Sequence, residues 1–540
     1  MSAETQNKPA AGRWPPQIKF IIGNEACERF SYYGIRSIMA GYITGAVVAG
    51  GLGQSKDHAT EIIHLFVFAN YFMPLFGAWL SDKLIGRYHT ILWVSMIYCL
   101  GNGILACSGL AGDVHGKMLC LTIGLGVIAF GSGGIKPCVS AFMGDQFKPA
   151  QSHLLQKAYG AFYWSINFGS FFSFLVIPWI KDSSGYAIAF GVPGVLMATA
   201  TLIFWLGTRF YTRVPTNREL KHAGFFTVFW HAFQNSQEFK TAAVLNIVTT
   251  IGLPVLAMLL MTVLGFANLP GAAEKIVGGA ALSCIALWYL LVVGLSVRRK
   301  TELPDAFWAK AAGQHDEKEI ASARSFTPIL FMFAFVPIFW TLFDQTNSTW
   351  VLQGQQMVPV KILGLDIGAE QMQSMNPLIV MGLVPLFTLG LYPRIGRFAA
   401  PLKRMSYGMF LASSSYLIVA ALQQRIESGA HLCVLWQTVP YVVLTAAEVL
   451  FSTTGLEFAF REAAADLKST IASFWLLTTS MGDLFVVTVT KLFGSASNQE
   501  ASVSPGRFLQ YAGMTFVVAI LFSLVAAFYR YHDKAAAEGK

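Results

Sequence analysis

The sequence predicts an all-α membrane protein that crosses the bilayer many times. Three observations predict it. Of 540 residues, 54% are hydrophobic and 12% are charged, with a mean hydropathy of +0.53, whereas a soluble domain carries about 25% charged residues. A single soluble core stops growing near about 250–300 residues, so this much apolar side chain needs lipid as its solvent. The apolar residues also fall in runs of roughly 20, the length that spans a bilayer as a helix.

These runs lie near 24–50, 60–81, 88–109, 118–144, 155–179, 186–208, 241–266, 276–297, 325–344, 371–392, 404–423, 433–458, 469–493 and 508–530, which predicts 14 transmembrane helices. Placing the N-terminus inside and alternating puts Lys83 and Arg87, Arg209 and Arg213, Arg298 to Lys300, and Arg394, Lys403 and Arg404 on the inner side. The outer connections then receive about one basic residue each, such as Lys56, Lys117 and Lys181. Lys and Arg accumulate on the cytoplasmic side, so both termini are expected there.

Residues 1–20 are polar and read as a cytoplasmic tail, as do 533–540. The polar stretch 301–324 reads as a cytoplasmic linker. The apolar, aromatic segment 222–235 could lie along the membrane surface. The net charge of +9 sits in short loops and does not point to nucleic acid. No phosphate-binding glycine loop is present, so ATP is not the expected energy source. The seven scattered cysteines have no metal spacing and read as packing residues. No cofactor and no enzymatic motif are expected.

Charges inside the spans carry the functional signal, because each costs about 2.5–3.5 kcal/mol at mid-membrane. The first span reads GNEACERFSYYGIRSIMAGYI. Glu25 and Arg29 are four residues apart and share a helix face, with Glu28 adjoining. Two carboxylates beside one arginine let a proton bind or leave without stranding a charge. A structural ion pair at the helix end is the alternative. Tyr32, Tyr33 and Arg36 extend the same polar side. Lys136 sits deep in the span at 118–144, beside Pro137 and after a glycine-rich stretch. It should pair with a carboxylate, and Glu448 in the span at 433–458 offers one. His64 can titrate near neutral pH. Asp344 ends the span at 325–344 and could pair with Arg36. Trp340 and Trp475 read as interfacial anchors or as walls of a site.

Five motifs then carry a resemblance. They are E-x-x-E-R-F-x-Y-Y at Glu25 to Tyr33; the loop with Gly77, Asp82, Gly86 and Arg87; G-G-I-K-P at Gly133 to Pro137; F-Y-x-x-I-N-x-G-S at Phe162 to Ser170; and E-V-x-F-S-x-T-G-L-E-F at Glu448 to Phe458. From about residue 20 to 530 the chain resembles the proton-dependent oligopeptide transporters of the major facilitator superfamily.

The resemblance implies two six-helix bundles, at 21–210 and 325–532, with two extra helices within 211–300. It implies a monomeric proton-coupled symporter that imports di- and tripeptides across the inner (cytoplasmic) membrane by alternating access. Glu25, Glu28, Arg29, His64 and Glu448 would couple protons. Lys136 and Arg36 would receive the peptide carboxylate, and Glu448 the amino group, helped by Asn167 and Asn376. Tyr32, Tyr33, Tyr71, Trp340 and Trp475 would line the pocket. Arg36 and Asp344 would form an outer gate. The S-T-T-G stretch and His64 match animal members, while the layout without a large external domain matches bacterial ones. Transport of another small anion, such as nitrate, is the rival reading.

Overall fold

A computed structural model describes residues 14–148, 151–214, 224–464, 468–494 and 502–531. The expected tail at 533–540, and most of that at 1–20, lie outside the described residues. The chain is helical almost throughout. It runs α1 (Ile18–Thr44), α2 (Lys56–Phe72), α3 (Pro74–Trp79), α4 (Gly86–Ser108), α5 (Val114–Gly144) and α6 (Ser152–Leu206). Then come α7 (Phe225–Asn235), α8 (Lys240–Ile247), α9 (Leu253–Phe266), α10 (Gly271–Val297), α11 (Asp305–Trp308), α12 (Glu317–Phe333), α13 (Val336–Phe343) and α14 (Thr349–Gly354). The last are α15 (Met375–Pro385), α16 (Tyr392–Ile395), α17 (Pro401–Glu427), α18 (Thr438–Glu462), α19 (Lys468–Phe493) and α20 (Pro505–Phe528). One short antiparallel hairpin, β1 (Val360–Ile362) with β2 (Leu365–Ile367), interrupts them.

Among the described residues, ten helices are long and apolar enough to cross a membrane, or eleven if the bent pair running from α12 to α14 is one span. Two of the ten, Lys56–Ser108 and Lys157–Phe210, each hold two of the spans read from sequence. Within the second, Gly185 breaks α6 with φ 80° and ψ 173°, a backbone that glycine tolerates. The first expected span ran to residue 50, but α1 stops at Thr44. The glycines that follow end it, since Gly50 and Gly53 have positive φ. The span expected to begin at 325 starts earlier, at Glu317. Asp316 caps that helix by accepting a hydrogen bond from the Glu319 amide at 2.7 Å. It then bends by 45° before Val336–Gly354, where Pro337 has no N–H to give to the preceding turn.

The chain divides into two compact units. The first joins Met1–Ser37 to Met73–Arg218, and the second joins Ile38–Phe72 to Glu219–Lys540. The stretch Ile38–Phe72, which the sequence placed in the first bundle, groups with the second unit.

In the first unit, small residues let backbones meet. A Cβ on Gly77 would collide with the Gly134 carbonyl, and one on Gly131 would stand 2.7 Å from Tyr98 Cα. The glycine-rich stretch before Lys136 thus packs α5 onto α3 and α4. Gly169 does the same for α6 and α1: its Cβ would lie 2.5 Å from the Ala26 carbonyl. Asn24 Nδ2 ties the same helices by donating to the Ala200 carbonyl at 3.0 Å. Gly169→Leu is therefore expected to lower stability by about 1–3 kcal/mol, the range for overpacking a tight contact. Thermal unfolding in detergent would read this, and an unchanged melt would mean that α1 and α6 separate freely. The turn at Gly86, φ 78°, presents Arg87 to Asp145, whose two carboxylate oxygens accept from Nη1 at 2.8 and 2.7 Å.

In the second unit, α7 buries Phe225 and Phe229 against Phe326 and Phe307, at 4.6 and 5.5 Å between ring centroids. Phe226 and Trp230 stay exposed on its other face. The segment is a helix docked on α11 and α12 through Phe225 and Phe229. Phe339 stacks on Phe451 at 4.3 Å and joins α13 to α18.

Candidate functional site

The first unit gathers one charged assembly on α1 and α5. Arg29 Nε reaches Glu25 Oε1 at 2.7 Å and Glu28 Oε2 at 2.7 Å. The helix period brings the i and i+4 side chains together. Glu25, Glu28 and Arg29 are all buried. Ser132 on α5 donates to Glu28 Oε1 at 3.2 Å. One turn on, Lys136 Nζ stands over the Tyr32 ring at 4.5 Å, and the Arg36 guanidinium lies 5.5 Å from the same ring. Tyr32 meets Tyr33 edge-on at 5.2 Å. Cation–π contact of this kind is strongest where water is excluded. Asn167 bonds its own helix, donating to the Tyr163 carbonyl at 3.0 Å.

Formally Glu25 and Glu28 bring two negative charges to this assembly, and Arg29, Lys136 and Arg36 bring three positive ones. Charges this well buried are tolerated where opposite charges stand close by.

The second unit gathers two further groups. Glu448 Oε2 accepts from Asn376 Nδ2 at 2.7 Å, and the same amide lies 3.2 Å from Thr445 Oγ1. This joins α15 to α18. Trp340 and Trp475 meet edge-on at 6.4 Å. Trp475 is buried and also packs on Phe333 at 5.4 Å. The two indoles thus pack on each other within the unit. Gly455 makes room for Trp475, because a Cβ there would strike the indole ring.

The other group centres on His64, which is wholly buried on α2. Its Nδ1 lies 2.6 Å from Asp483 Oδ1 on α19, and its Nε2 lies 2.9 Å from Ser348 Oγ, just before α14. Tyr71 lies two turns further along α2 and is half-buried. Asp344 is buried four residues before Ser348.

Sequence reasoning missed Asp483, Ser348, Ser132, Thr445 and Asp145. Asp483 carried a usable signal. It is the one carboxylate in the run 469–493, and the rule that picked out Lys136 applies to it equally. The serines and Thr445 carried none, since a hydroxyl in a membrane helix most often bonds its own backbone.

A profile of the POT family matches residues 88–505. The chain is 32% identical over 428 residues to "Peptide transporter family 1" of Drosophila melanogaster, covering 77% of this chain and 49% of that protein. It is 30% identical over 440 residues to "Solute carrier family 15 member 1" of Homo sapiens, covering 77% and 52%. The chain thus spans about half the length of the curated relatives it matches. Among solved structures, an auto-inhibited POT family peptide transporter aligns with a TM-score of 0.80 and 36% identity, over 96% of this chain and 98% of that one. The POT family transporter PepTSo aligns at 0.79 and 36% identity, over 97% and 100%. With the family profile covering most of its length, a charged assembly on α1 and α5, and the Glu448 motif on α18, the chain belongs to the POT family.

Proposed function

We propose that the chain is a proton-coupled symporter that carries di- and tripeptides inward by alternating access. The observation that carries this reading is Arg29 held at 2.7 Å by both Glu25 and Glu28, away from water. Two carboxylates on one guanidinium form a site that can gain a proton and keep its salt bridge. The family, and relatives whose names denote peptide transporters, supply the substrate class.

In this reading a peptide carboxylate meets Lys136 and Arg36, and a peptide amino group meets Glu448. Asn376 and Asn167 help to hold the backbone. Tyr32, Tyr33, Tyr71, Trp340 and Trp475 wall the pocket. Both ends of a zwitterion find a partner, so side-chain selectivity is broad. A peptide carboxylate at Lys136 takes that lysine away from the acidic pair, and protonation of Glu28 then removes the negative charge the lysine no longer offsets. His64 carries a second proton. The protein acts as a monomer in the inner membrane with both termini cytoplasmic.

Reconstituted protein is expected to take up dialanine faster with acid outside and a negative interior. A potential of 100 mV contributes about 2.3 kcal/mol per charge moved. Uptake indifferent to both gradients would refute proton coupling. Glu448→Gln is expected to raise the half-saturating dialanine concentration about 10-fold or more, since a charge-assisted hydrogen bond is worth about 1.5–3 kcal/mol. A peptide with a blocked amino terminus should bind poorly to wild type and be little affected by the substitution. Equal loss for both peptides would remove Glu448 from amine recognition. An intact Glu448 pole favours a zwitterion over nitrate, which has no amine to offer it.

A further inference from the structure

Asp483 is a wholly buried carboxylate that the scheme above does not use. It faces His64 Nδ1 at 2.6 Å, while Ser348 Oγ faces Nε2 at 2.9 Å. The imidazole is thus gripped at both nitrogens, by side chains from α19 and from the turn before α14.

The protonation states differ sharply in cost. With one proton on the pair beyond the carboxylate form, imidazolium and carboxylate cancel. With that proton gone, the pair itself carries a net negative charge in a wholly buried place, which is costlier to bury than the neutral pair. The Ser348 hydroxyl fits the charged form. It has the Gln345 carbonyl at 3.5 Å as an acceptor, which leaves its lone pairs for an Nε2–H donor. Lys56, Asp57, His58 and Glu61 lie earlier on α2, Lys491 lies two turns beyond Asp483, and Asp344 precedes Ser348; of the other helices packed on α19, α18 carries Glu448, Glu457, Arg461 and Glu462, α10 Glu274 and Lys275, and α12 Glu317, Lys318, Glu319 and Arg324. Lys491 is already engaged, donating to the Leu264 carbonyl at 3.0 Å. The helices α9 and α13, packed on α19, carry no ionisable side chain.

We infer that Asp483 is the counter-charge that lets His64 keep a proton while the pair is shut away from water, with Ser348 fixing the ring. This rests on the proposed proton coupling. Asp483 is a positioning residue: the proton sits on the imidazole, and the carboxylate holds it there. The proton leaves as one N–H of His64 passes to water, and that step requires α2 and α19 to part. Proton release is thereby tied to opening of this contact.

Asp483→Asn and His64→Gln are compared in proteoliposomes for acid-driven dialanine accumulation and for counterflow without a proton gradient. Each is expected to lower accumulation relative to counterflow by roughly a hundred-fold, the scale of a broken buried ion pair. The double variant should be no worse than either, because both changes remove one interaction. Asp483→Glu should restore part of the accumulation. Normal accumulation by Asp483→Asn with loss in His64→Gln would overturn the role of Asp483 and leave the coupling reading standing. Normal accumulation by both would overturn the His64 reading itself. If Asp483→Asn does not fold, wild type decides. In 15N-histidine-labelled protein at neutral pH, the signal missing from His64→Gln should report two protonated ring nitrogens. A bare nitrogen there would overturn the inference.

Discussion

Glu28→Gln is expected to abolish gradient-driven accumulation of dialanine while leaving the protein folded. The glutamine keeps the size of the side chain and can still accept from Ser132, which donates to Glu28 Oε1 at 3.2 Å. Arg29 keeps its 2.7 Å contact with Glu25, so one buried pair remains matched. The expected stability loss is about 1 kcal/mol, the scale of one exchanged hydrogen bond. What disappears is a group that can change charge when Lys136 changes partner. The variant should equilibrate peptide without concentrating it, and its accumulation ratio should stay near one under acid outside. A variant that accumulates peptide like wild type would move the relay away from Glu28.

Arg29→Ala has the largest expected effect on stability. It leaves Glu25 and Glu28 buried beside each other with their shared cation gone. Breaking a buried pair by removing one partner costs about 3–5 kcal/mol, enough to lower expression and thermal midpoint together. Replacing the triad, with Glu25→Gln and Glu28→Gln added to Arg29→Ala, should recover much of that loss, because neither carboxylate is then left buried without its cation. Stability alone would recover; proton-driven uptake would not. A single Arg29→Ala protein that melts like wild type would mean that water reaches the cluster.

The sequence carried the fold well, for a physical reason. Lipid forces backbone bonds to close within each helix, so an apolar run of the right length is nearly a helix by necessity. The charged assembly on α1 was legible because i and i+4 positions meet on any helix. Less was legible where partners come from distant chain. Asp483 and His64 stand 419 residues apart, and nothing in either span names the other. The break between α12 and α13 was also missed, although Pro328 and Pro337 both lie in the expected span and only the second bends it. Pro328 sits within the continuous helix α12, where neighbouring helices can re-satisfy a freed carbonyl. The bend is therefore decided by packing that composition does not record.

The charges on α1 bear on how the protein is made as well as on how it works. With Lys19, Glu25, Glu28, Arg29 and Arg36 in one helix, α1 is not among the helices apolar enough to cross a membrane unaided. Its partners on α5, the Ser132 hydroxyl that donates to Glu28 and the Lys136 ammonium over Tyr32, are synthesised about a hundred residues later. During biosynthesis α1 should therefore be a weak insertion signal until α5 arrives. Truncated chains ending before residue 114 should leave α1 poorly integrated in glycosylation mapping, and chains extending past 144 should hold it firmly. The same buried cluster thus makes the order of helix assembly matter at birth.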